Sequence, residues 1–144
     1  MPVLQGGLDA CRILLTEEQV RSNPKISNLL HRNDIWMGPG KMVVATAMRA
    51  ETSLVYGMEL AYPASKAESG RPPKRLDIEE VKKTFSDFYP IFQHVLSAAK
   101  DASLWKLYQL PTEFSWVNEE GTIVVTGDAA HAMLPHAAQV LFSP

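Results

Sequence analysis

Toward the end of the chain, Gly127, Asp128, Ala129, Ala130 and His131 follow a run of mostly β-branched residues at positions 122–126. Glycines at 121 and 127 bound that run, which is short and almost wholly apolar, so the pattern predicts a buried strand of the parallel-sheet kind. A tight turn and a helix start come next, until Pro135 interrupts the helix. Ligands of α/β sheets gather beyond the carboxyl ends of strands, where unpaired N–H groups meet phosphate oxygens. A carboxylate at such a turn accepts hydrogen bonds from sugar or sugar-alcohol hydroxyls. On spacing alone a plain helix N-cap is the favoured reading of Asp128. A metal site from Asp128, His131 and His136 is the weaker reading, since one histidine falls on a helix and the other beyond a proline; no metal is expected.

The elements that must position this turn are legible in part. Thr16 and Gln19 have the spacing of a capping box, and Pro24 limits the helix that follows, so a short helix and a second turn are expected up to Leu30. Residues 41–48 and 52–62 read as two strands joined around Arg49, with Leu54, Tyr56, Met58 and Leu60 sharing one face. From 63 to 75 the composition turns to Pro, Ser, Gly, Lys and Arg, which marks an exposed loop. Asp77 and Glu80 suggest another capping box, and Ile78, Val81, Phe85 and Phe88 fall on one helical stripe that Pro90 should end or kink. The stripe of Phe85, Phe88 and Phe92 is core in this reading, not a ligand box.

With 14 basic and 16 acidic side chains among 144 residues the net charge is −2. No long run of either sign marks a nucleic-acid or membrane surface. Cys11 is the one cysteine, which excludes an internal disulfide and a paired-cysteine zinc site and fits a reducing, cytoplasmic setting. The start lacks the pattern of a secretory signal, and no window reaches the length of a membrane span. No Gly-x-Gly-x-x-Gly occurs anywhere.

The segment Gly-Asp-Ala-Ala-His-x-x-x-Pro at positions 127–135 resembles the second flavin-contacting motif of the single-component aromatic hydroxylases, the salicylate hydroxylase-like FAD-dependent monooxygenases. Cys11-Arg12, the stretch from Trp36 through Gly38-Pro39-Gly40 to Val44, and Trp105-Lys106-Leu107-Tyr108 resemble the middle region of that family. The resemblance implies that Asp128 holds the ribityl hydroxyls of FAD, and that Gly127, Ala129 and Ala130 lie along its pyrophosphate-to-ribityl section. It further implies that Pro135 sits at the isoalloxazine edge, and that His136 and Arg49 are substrate-side candidates. The strands from Val43 to Leu60 would roof the substrate pocket.

Two departures matter. The family continues with Gln-Gly, where this chain has Gln139-Val140, and Thr46-Ala47 stands where Tyr-Pro is usual. The expected fold is α+β: a mainly antiparallel substrate-domain sheet with helices, plus one strand-turn-helix piece of an FAD-binding domain. Residues 1–104 would form a partial substrate-binding domain and 105–144 a partial FAD-binding domain, whose apolar strand lacks neighbours on either side. The expected activity is that of a fragment of a monooxygenase, hydroxylating a small aromatic molecule with NAD(P)H and O₂. The alternative is a non-catalytic remnant acting as a binding or interaction module.

Overall fold

The computed structural model describes residues 4–50, 52–64, 74–109 and 115–131; of residues 4–6, 108, 109, 128 and 131 only the backbone is described. Strand β1 (Leu4–Thr16) runs into helix α1 (Glu17–Arg21) and a 3-10 turn (Ser27–His31). Strands β2 (Asn33–Gly38), β3 (Lys41–Ala50) and β4 (Ser53–Pro63) follow as a meander. Then come β5 (Lys74–Leu76), helices α2 (Ile78–Thr84) and α3 (Pro90–Ala98), strand β6 (Ala102–Gln109) and the short α4 (Asp128–His131). The six strands make one sheet in the order β2-β3-β4-β1-β6-β5, and every pairing within it is antiparallel. The fold is thus α+β, with the expected antiparallel sheet carrying helices.

The local signals explain where elements start. Thr16 accepts the Gln19 N–H while the Gln19 side chain accepts the Thr16 N–H, so both halves of the capping box are formed. Asp77 caps α2 by accepting the Glu79 N–H at 3.0 Å. Glu80 does not complete a second box; its role in the first turn is its charge at the helix N-terminus. Helix α2 stops at Thr84, well before Pro90, and the proline opens α3 at a position where its missing N–H costs nothing.

Among the described residues, one face of the sheet is covered and the other open. Cys11, Ile13 and Leu15 of β1, Val43 and Ala45 of β3, and Tyr56, Met58 and Leu60 of β4 point toward the helices and are buried. Phe85, Phe88 and Phe92 are buried with them as a mutually packed ring cluster, with centroids 5.0 to 5.8 Å apart. Two polar features are enclosed on this side. Tyr56 donates to Asp34 at 2.9 Å, and Arg32 pairs with the other oxygen of the same carboxylate. Lys106 donates to Asp9 Oδ2 at 3.0 Å, while Asp9 Oδ1 is buried without a partner.

A division at 104/105 falls inside β6, which stays paired with β1 through Gln109. The predicted buried strand at 122–126 is not formed. Instead Val117 and Val124 make an isolated antiparallel bridge, and Ile123 and Val124 are 65% and 61% exposed. Burial of such a run needs strands on both flanks, and among the described residues it meets only the turn-back through Trp116 and Val117. β-Propensity therefore expresses itself as a small exposed ribbon.

Candidate functional site

The Gly127–Asp128 turn is built by that ribbon. Val125 N–H donates to the Trp116 carbonyl at 2.9 Å and Asn118 N–H to the Ile123 carbonyl at 3.1 Å. The Asn118 side chain holds the tip, its Oδ1 accepting the Thr122 and Ile123 N–H groups at 2.9 and 2.8 Å. Gly127 then takes φ +62°, a left-handed value that disfavours any side chain, and Ala130 N–H closes the turn on the Gly127 carbonyl at 2.9 Å. Asp128 opens α4 as expected, Ala129 is exposed and Ala130 is buried. Pro135 and His136 lie outside the described residues.

Arg49 falls at the end of β3 in phase with Val43, Ala45 and Ala47, hence on the helix-covered side of the sheet. Its charge helps to hold the Glu17 carboxyl below its ordinary range, after the larger effects of the Leu54 N–H and the Arg21 side chain. The substrate-side expectation for Arg49 thus meets a position beside α1, away from the open face.

The open face itself carries what sequence reasoning missed. Ile35 and Met37 of β2, Val44 of β3, Leu14 of β1 and Trp105 of β6 all stand exposed on it. A groove of about 690 Å³ runs across the strands, floored by Ala10 and Ala61 and walled by Ile35, Met37, Met42, Val44, Trp105 and Leu107. Arg12 and Glu59 are the two charged residues in its lining. They are cross-strand neighbours in the β1–β4 register, where Arg12 Nε donates to Glu59 Oε1. The Arg12 guanidinium lies 5.3 Å from the Trp105 ring centroid, and the Trp105 indole N–H donates to Ser103 Oγ at 3.2 Å. The sequence held one hint of this, a charge between the apolar pairs Ala10-Cys11 and Ile13-Leu14, but nothing in it tied Arg12 to Glu59.

No family model matches the chain. The FAD-dependent monooxygenase OpS4 of Beauveria bassiana (strain ARSEF 2860) is 28% identical over 132 residues, covering 90% of this chain and 30% of that protein. The substrate complex of salicylate hydroxylase superposes with a TM-score of 0.77 at 20% identity, covering 94% of this chain and 34% of that one. HpxO of Klebsiella pneumoniae, solved with FAD and uric acid, gives 0.65 at 15% identity over 96% of this chain and 33% of its own. The chain's relatives are FAD-dependent monooxygenases and hydroxylases, and its fold is that of the salicylate hydroxylase-like flavoproteins. It spans less than a third of the length of the curated relatives it matches.

FAD, if bound, would meet the described residues at this turn. A Cβ at the left-handed Gly127 would meet nothing within 4 Å, and the helix opens directly after it at Asp128. That suits one edge of the cofactor. A four-residue helix and an exposed ribbon make no enclosure, so the described residues supply a contact and not a cradle.

Proposed function

We propose that this chain is the substrate-wall and flavin-contact portion of an FAD-dependent monooxygenase that hydroxylates an aromatic or related small molecule with NAD(P)H and O₂. The observation that carries the reading is the open sheet face: an apolar groove with one polar pair, on the side of the sheet turned away from the helices. A small-molecule site has this composition, mostly apolar walls with few polar groups to fix orientation. In this reading Asp128 accepts from the ribityl hydroxyls, Gly127, Ala129 and Ala130 present backbone to the same section, and Pro135 lies at the ring edge with His136 toward the substrate. Bound flavin supplies the oxygen chemistry. The chain's own residues exclude water from one side of the substrate and orient its ring.

A chimera tests this: the matched residues replace their counterparts in the OpS4 relative. The chimera should hold stoichiometric flavin and couple NAD(P)H oxidation to incorporation of ¹⁸O from ¹⁸O₂, and Asp128→Ala should release the flavin. A folded chimera that keeps neither flavin nor turnover refutes the proposal. The exposed Ile123 and Val124 favour a second reading, a binding module without catalysis, in which the chimera binds aromatic ligands but never oxidises NAD(P)H.

A further inference from the structure

Within the groove the register places Ala10 opposite Ala61 on one side and Trp105 on the other. Two residues along β1, on the same face, Arg12 stands opposite Glu59 and Ser103. The two rows are separated by about 7 Å along the strands. The alanines make a flat floor beside the raised indole. A planar ring laid on that floor brings a substituent on its edge to the guanidinium.

Glu59 contacts Arg12 through Nε alone, which leaves the two terminal amino groups for another acceptor. The pair is about half exposed, at 49% and 47%, so an incoming ligand reaches it without unfolding anything. The cation–π contact with the indole favours this position of the guanidinium, and the indole is held in turn by Ser103. A guanidinium fork set beside an aromatic wall suits a planar oxygen anion, which it meets with paired charge-assisted hydrogen bonds.

We propose that Arg12 is the specificity-determining anchor of the groove, selecting a planar aromatic ligand that bears a carboxylate or phenolate oxygen. Glu59 is its internal competitor: it holds the guanidinium in position when the groove is empty and repels a second anion when it fills. This rests on the reading of the open face as the substrate wall.

The test is a titration of the ¹⁵N-labelled chain with benzoate and with benzamide, its neutral near-isostere, following the Arg12 Nε–H and the Trp105 indole N–H resonances. Benzoate should move both and bind at least about fivefold more tightly than benzamide. Arg12→Gln should make the two ligands equal, Arg12→Lys should keep a weakened preference, and Glu59→Gln should tighten benzoate without tightening benzamide. All three substitutions lie on the open face, so far-UV circular dichroism should be unchanged. Equal binding of both ligands to the native chain overturns the anchor and leaves the aromatic wall standing. If neither ligand moves any groove resonance, anchor and wall fall together. Groove resonances that shift with protein concentration alone, together with slower tumbling, overturn the anchor in favour of a second copy covering the face.

Discussion

The sharpest energetic test lies at the enclosed pair on the other side of the sheet. The Lys106 and Asp9 side chains are 6% and 2% exposed, and Asp9 Oδ1 already has no partner. Lys106→Met keeps most of the side-chain volume and removes the charge, which leaves a buried carboxylate with nothing opposite either oxygen. Breaking a buried pair on one side costs about 3–5 kcal/mol. Against a total stability of roughly 5–15 kcal/mol, that takes a large fraction of the folded state's margin. The double variant Asp9→Leu with Lys106→Met removes the desolvation cost together with the attraction, and such replacements are often neutral or stabilising by about 1–4 kcal/mol. The orphaned Oδ1 weights the sign toward recovery, because its cost of about 1–3 kcal/mol disappears as well. Urea unfolding followed by circular dichroism reads both variants, with a constant slope to certify that only stability has changed. A loss below about 1 kcal/mol for Lys106→Met, on the scale of an exposed pair, would refute the reasoning. So would a double variant as unstable as the single one.

Further outcomes follow from other parts of the fold. Gly38→Ala would set a Cβ 2.8 Å from a ring carbon of the buried Phe88, and should cost about 1–3 kcal/mol by thermal unfolding. The Glu17 carboxyl is held low chiefly by the Leu54 N–H, and that of Asp87 chiefly by Lys41. Groups lowered in the folded state stabilise it above the ordinary carboxylate range, and that contribution is lost as pH falls through their lowered values. The acid limb of a stability–pH curve should therefore become shallower in Glu17→Gln, and an unchanged limb would count against the assignment. Burial, and then the Glu59 charge, push the Cys11 thiol up to about 12, so a thiol reagent at pH 8 should label it only after denaturant is added. The isolated chain should purify colourless, since the turn proposed to meet the flavin stands beside an exposed ribbon; stoichiometric flavin surviving gel filtration would overturn this expectation.

The parts of the fold legible in the sequence were those with one apolar face. The alternation from Leu54 to Leu60 marked β4, the spacing of Ile78 and Val81 marked α2, and the Thr16–Gln19 box marked the start of α1, whereas Phe85 and Phe88, read as the same helical stripe, pack into the core from the turn between α2 and α3. Strands β1, β2 and β6 escaped because they are apolar on both faces. Cys11, Ile13 and Leu15 lie under the helices while Ala10 faces the groove and Leu14 stands exposed, and Ile35 and Met37 face the groove opposite the buried Trp36. Such strands show no period of two until the sheet is known. The candidate turn at Gly127 was visible because a left-handed glycine beside a capping acid is a local signal. The Arg12–Glu59 pair joins residues 47 positions apart, and only strand register reveals it.

The placement of β1 sets the order in which the molecule can assemble. The strand of this sheet that is synthesised first, β1, sits inside it, bonded to β4 on one edge and to β6 on the other, with Asp9 meeting Lys106 across a separation of 97 residues. During translation at about 5–20 residues per second, β1 must wait several seconds for its second neighbour. The β2-β3-β4 meander closes through short connections and can form early, whereas β6 closes the longest loop and pays its chain entropy last. A nascent chain that has not yet extruded residues 102–109 presents an unpaired edge along β1. That interval is when another β-edge can intrude, so holdase binding or aggregation should peak for stalled chains ending before β6 and fall once that strand is released.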